Sequence, residues 1–210
     1  MKLDREQLEL INSFLVKNEV VFDDIRYEII DHIACDVEEN YAEIPFPDAI
    51  KLVLKKWERQ VQMSNSFWVS SWSNFPRVIT NKLKQLSLPQ VNVFSLIIVA
   101  SLLINLYFPT IIDNFKVYEN VFKIVYVLWF IFMSMFGIKI FLTKAHTTYK
   151  YMFKRNFFMI YLFTIMLFIS HLYGVTMLTY FFVNISFSVF LFQNYKAHFN
   201  FIKRLKNELN

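Results

Sequence analysis

Residues 93–108 read VFSLIIVASLLINLYF, a run with no charged side chain. Three similar blocks follow: VFKIVYVLWFIFMSMFGIKIFL at 121–142, FFMIYLFTIMLFISHLY at 157–173 and MLTYFFVNISFSVFLFQ at 177–193. A helix needs about 20 apolar residues to cross roughly 30 Å of hydrocarbon. The blocks are continuous rather than alternating, and a helix satisfies its own backbone polar groups in lipid. The blocks therefore predict four membrane-spanning helices, at about 92–112, 121–142, 157–173 and 176–193. The residues before 63 are polar, acidic and free of Gly.

Charge is partitioned along the chain. Residues 1–62 hold 8 Lys+Arg against 14 Asp+Glu, whereas residues 63–210 hold 14 Lys+Arg against 3 acids. The pI of about 9.2 therefore describes neither part. A nucleic-acid binder gathers its basic residues on one folded face. Here they flank apolar spans, where they orient a chain and meet anionic headgroups. No nucleic-acid partner is expected; membrane lipids are.

The basic residues alternate with the gaps. Arg77, Lys82 and Lys84 precede the first span, and Lys144, Lys150, Lys154 and Arg155 follow the second. Lys196, Lys203, Arg204 and Lys206 follow the fourth. The other two gaps hold Lys116 beside Asp113 and Glu119, and no basic residue around Tyr173–Val175. The positive-inside rule then puts both termini and the middle loop in the cytoplasm. The start MKLDREQLELI lacks an apolar run behind basic residues, so no cleavable signal is expected. Cys35 is the sole cysteine, consistent with a reducing compartment.

Three amphipathic helices are expected in the acidic head. Leu3-Asp4 followed by Gln7 reads as a staple, an N-cap and a capping-box partner for a helix over 4–17, with Leu8, Ile11 and Leu15 inward. Ile25, Ile29, Ile33, Val37 and Tyr41 form the apolar face of a helix over 23–43, stopped by Pro45-Phe46-Pro47. Ala49, Val53, Trp57 and Val61 line a third helix over 47–61. About 60 residues is near the lower limit for independent folding.

Residues 64–88 carry Trp68, Trp72, Phe75, Ile79, Leu83 and Leu86 at steps of three or four, with Arg77, Lys82 and Lys84 between. The pattern fits an amphipathic helix in the headgroup layer, kinked at Pro76. A tether packing its aromatics on the head fits the same spacing. The membrane-interface residues under the first reading are Trp68, Trp72, Phe75, Arg77, Lys82 and Lys84. The resulting plan is all-α: a cytoplasmic three-helix head (1–62), an interfacial connector (63–90), a four-helix transmembrane bundle (91–195) and a basic cytoplasmic tail (196–210).

Reactive constellations are scarce. Only Gly137 and Gly174 occur, which excludes a Gly-rich phosphate cradle. Glu28, His32 and Asp36 stand four residues apart on one helix face, but three consecutive turns separate the outer two too far for a shared ion. No metal, cofactor or catalytic residue is predicted, and no enzyme activity. The surface of Glu28, Asp31, His32, Asp36, Glu38 and Glu39 reads instead as a docking face for a basic protein partner. It is also free to rest electrostatically on Arg77, Lys82, Lys84 and the 144–155 loop. Asn105, His171 and Asn184 mark where a lipid-handling enzyme or transporter component would place a cavity. The aromatic-rich spans would equally suit a subunit of a larger membrane complex.

The head also resembles a known family. EIIDHIACDVEENYA (28–42) followed by PFPDAIKLVLKKWERQ (45–60) resembles the HAAS-type domain of bacterial multi-span membrane proteins, in a Bacteroidetes-like variant. The matching positions are Glu28, Ile29, Asp31, Glu38 and Glu39, then Asp48, Ala49 and Ile50. KKWERQ stands where the family carries an LG-x-P element. The resemblance implies a regulatory protein of the kind paired with PadR-type transcriptional regulators, and brings no catalytic residues.

Overall fold

The computed structural model describes residues 2–64, 74–108, 117–169 and 175–208. The fold is all-α, with seven helices among the described residues. They are α1 (Arg5–Lys17), α2 (Asp23–Asn40), α3 (Phe46–Val61), α4 (Arg77–Tyr107), α5 (Glu119–Phe141), α6 (Thr148–Ile169) and α7 (Val175–Glu208). Two short strands, β1 (Met63–Ser64) and β2 (Phe75–Pro76), pair antiparallel between α3 and α4. The chain divides into two compact units: Met1–Gln85 with Ala145–Thr148, and Leu86–Lys144 with Tyr149–Asn210.

Local chemistry sets the head helices. Asp4 caps α1 through its side chain, and Gln7 returns the bond to the cap backbone, closing the capping box. Ile11 and Leu15 are fully buried. Ile25, Ile29, Ile33 and Val37 form the inward face of α2. This helix ends at Asn40, ahead of the prolines, so Pro45–Pro47 does not stop it; Pro45 instead caps α3 and Pro47 occupies its first turn. Ala49, Ile50, Val53 and Val61 complete the inward stripe. Trp57 lies half-buried.

The first unit extends past residue 62. The expected helix is not continuous through Pro76: Phe75-Pro76 is a strand, and α4 starts at Arg77. Proline's missing N–H suits an edge strand and ends the need for a helical partner there. The Phe75 ring lies 5.6 Å from that of Phe22, and Arg77 N donates to Gln62 O at 2.9 Å. Ile79 and Leu83 are fully buried and belong to this unit. Their side chains pack as core of this unit. Trp68 and Trp72 lie outside the described residues.

Pro89 lies inside α4. It supplies no N–H to the carbonyl four residues back, that of Gln85. Gln85 is also the last residue of the first unit in this stretch. The sequence thus weakens the helix ladder where one unit gives way to the other.

The second unit has a core of Met133, Ile140, Phe153, Ile160 and Leu191, ringed by partly buried aromatics from α5, α6 and α7. Phe153 and Phe157 stack at 6.1 Å, and Tyr195 meets Phe136 edge-on at 5.2 Å. Among the described residues two helical segments, Arg77–Ile104 and Asn120–Phe141, are long and apolar enough to cross a membrane. Only 17% and 22% of their apolar windows are buried. A core helix of a water-soluble protein would be buried over most of its length. Leu96, Leu102, Leu106, Ile124 and Leu128 are all more than 60% exposed. Exposed apolar side chains on this scale are costly in water and favourable in hydrocarbon.

Burial at position 83 makes a testable difference. Leu83→Ala should destabilise the head by about 2–5 kcal/mol, read as faster proteolysis at Pro45–Pro47. Leu88→Ala, at a position 54% exposed, should leave the cleavage rate unchanged. Equal rates for the two variants would exclude α4 from the head core.

Candidate functional site: an aspartate pair that grips the 145–148 loop

The best-built polar site is at the start of α2. Phe22 precedes the helix in extended conformation and offers no side-chain cap. The acids that follow, Asp23 and Asp24, suit the positive end of a helix dipole. They also bind chain far away in sequence. Thr148 N donates to Asp24 Oδ1 at 2.8 Å, and Thr148 Oγ1 donates to Asp24 Oδ2. His146 N donates to Asp23 Oδ2 at 2.6 Å, and Asp23 N donates to His146 O at 2.6 Å. Arg26 closes the cluster by pairing with Asp23 Oδ1 at 2.5 Å and donating to Val20 O at 3.0 Å.

The two carboxylates have different surroundings. Asp23 is half-exposed and shares its charge with Arg26. Asp24 is 8% exposed, and Thr147 and Thr148 are buried beside it. Burial pushes the Asp24 carboxyl up from the ordinary 3.8, against the opposing pull of the two Thr148 hydrogen bonds and of Lys82. Thr148 is the first residue of α6, so the Asp24 carboxylate also sits at that helix's positive end and takes one of its unpaired amides.

The sequence-predicted acidic face divides. Glu28 pairs with Lys82 at 3.1 Å, and Asp36 pairs with Lys56 at 2.8 Å. The Lys56 hydrogen bond holds the Asp36 carboxyl below its ordinary value. Glu38 accepts from Leu3 N at 2.8 Å. These three side chains bind within the head. Asp31, His32 and Glu39 lie on the exposed surface of α2, with Cys35 exposed between them. Among the described residues no three His, Cys, Asp or Glu side chains gather as a metal set.

Of the basic residues expected beneath the head, Lys82 makes the described contact, to Glu28. Lys84 is exposed and Arg77 half-buried. The 145–148 loop attaches through backbone and threonine groups rather than through a lysine. Asp23 and Asp24 were missed as site residues because acids in a first turn read as ordinary dipole partners. Their partners stand 123 and 124 residues away, beyond any local pattern. Among the apolar-span candidates, Asn184 is 2% exposed, whereas His171 and the Asn105 side chain lie outside the described residues.

Protonation should act on this site in a definite direction. The folded head holds a proton on Asp24 over a pH range in which the unfolded chain has released it. Stability from this group therefore rises as pH falls through the folded pKa and is complete below 3.8. The neutral acid keeps both contacts, accepting from Thr148 N–H and donating to Thr148 Oγ. Relative to Asp24→Asn, which cannot titrate, the native chain should gain thermal stability as pH falls from 7 to 3.8. At pH 7, Asp24→Ala should cost about 1–3 kcal/mol by orphaning both Thr148 groups. A flat or inverted difference against Asp24→Asn would contradict the burial of this carboxylate.

Comparisons with protein-family models, with curated proteins and with solved structures find no match to this chain.

Proposed function

We propose that this chain is a non-enzymatic, regulatory or scaffolding protein of the bacterial inner membrane, with four spans and both termini in the cytoplasm. The head binds a protein partner, and its grip on the 145–148 loop makes the head responsive to the helices on either side of that loop. The observation that carries this reading is the division of the acidic face. Glu28, Asp36 and Glu38 serve the head's own architecture, while Asp31, His32 and Glu39 remain on the exposed side of α2. A basic partner surface is the complement of that remainder.

Membrane placement rests on the four apolar blocks, the alternation of basic and non-basic gaps, and the low burial of α4 and α5. The resemblance to HAAS-type proteins supports the regulatory reading and points to a transcriptional regulator as the kind of partner. Exposed aromatic and aliphatic surface on α5 and α7 would also serve assembly into a larger membrane complex.

Two experiments test the proposal. In a Cys35→Ser background, Asn120→Cys and Lys144→Cys, both at exposed positions, should react with an impermeant maleimide from opposite faces of the membrane. Reaction from one face would discard the topology. Affinity capture of the full chain from native membranes should lose a co-purifying protein when Asp31 and Glu39 are both replaced by Lys. An unchanged set of captured proteins would remove the docking role of this face.

A further inference from the structure

The seam between α5 and α7 holds two polar atoms with nothing to bond. The Tyr126 hydroxyl and Asn184 Oδ1 are buried and have no hydrogen-bond partner among the described residues. Tyr126 is 6% exposed and Asn184 is 2% exposed. Both line one cavity of about 70 Å³, closed by Phe122, Val125, Phe181 and Ile185. Asn184 Nδ2 donates to Tyr180 O at 2.7 Å, and the unpaired atom of the side chain is its acceptor, Oδ1. Tyr126 has a donor to offer. No charged side chain lines the cavity.

A second, larger cavity of about 490 Å³ begins at Trp129, which lines both. It runs past Phe132, Met133, Phe136 and Phe192, with Phe153 of α6, and is mainly apolar, with Ser188, Gln193 and Tyr195 also on its lining. The seam thus joins a small polar end to a long aromatic groove.

We propose that this seam binds a single-chain lipid alcohol, with its neutral hydroxyl between Tyr126 and Asn184 and its chain in the groove beyond Trp129. A hydroxyl is the group that accepts from Tyr126 and donates to Asn184 through one oxygen. A carbonyl has no proton to donate and would leave Asn184 Oδ1 unpaired. A phosphate or ammonium group would bring an unpaired charge into a lining that has no counter-charge. Water has the same hydrogen-bonding chemistry and is the competing occupant of the small cavity. Water cannot extend into the adjoining apolar groove, whereas the chain of an alcohol can.

The inference goes beyond the regulatory role and rests on the membrane placement, which alkali-resistant sedimentation of the same membranes reads separately. The full chain in phosphatidylcholine nanodiscs is photolabelled with a twelve-carbon primary alcohol bearing a mid-chain diazirine, and in parallel with the matching diazirine alkane. Adducts on peptides containing residues 129–136 should be about five-fold more abundant with the alcohol, the scale of one buried hydrogen bond. Tyr126→Phe removes one oxygen without changing shape and should bring alcohol labelling down to the alkane level. Asn184→Leu should do the same. Equal labelling by alcohol and alkane in the native chain would overturn the proposal and leave the small cavity to water. Undiminished alcohol labelling in both variants would overturn it as well.

Discussion

The contact between the buried Asp24 carboxylate and Thr148 is the constraint on which the head's organisation turns. It closes 124 residues of chain with two hydrogen bonds to one acid. A carboxylate that is 8% exposed is tolerated only where its oxygens find donors. Thr148 supplies one from its backbone and one from its side chain, and the first turn of α6 adds a favourable dipole. Asp23 fixes the same loop through His146, and Arg26 balances the charge. A loop of four residues is thereby made part of the head's compact unit.

Around that point the head uses ordinary apolar packing. The stripes of α1, α2 and α3 bury Ile11, Leu15, Ile29, Ile33 and Val53 completely or nearly so. Three short helices offer little core, and the first turns of α4 add Ile79 and Leu83 to it. The small β1–β2 pair sets where that helix can start, because Pro76 fits a strand edge. Pro89 then breaks the ladder at the Gln85 carbonyl, beside the boundary of the unit. The sequence places one proline at each end of the α4 segment that the head recruits.

The second unit follows different physics. Many of its outward residues are apolar, and its mostly aliphatic buried core is ringed by partly buried aromatics. Polar groups there mostly bond to nearby backbone: Ser101, Ser134, Thr164 and Ser188 each donate to the carbonyl four residues back. The Tyr126 hydroxyl, Asn184 Oδ1 and Asn156 Nδ2 depart from that pattern, and of these Tyr126 and Asn184 share a cavity. At the other end of this unit, Arg155 donates to Ser87 and Gln90, and His198 meets Thr143 at 2.8 Å.

Much of the architecture was legible from local chemistry alone. The capping box at Asp4 and Gln7, the inward faces of α1 to α3 and the helical character of the apolar blocks all depend on residues within a few positions of one another. So does the contrast between an acidic, polar front and an apolar remainder. Tertiary structure decided the rest. It placed Ile79 and Leu83 in a core, turned Phe75-Pro76 into a strand, spent half of the acidic face on internal bonds, and paired Asp23 and Asp24 with His146 and Thr148. Periodicity reports which way a side chain faces on its own helix. It carries no information on which distant donor will meet a carboxylate, because that meeting is set by packing of the whole chain.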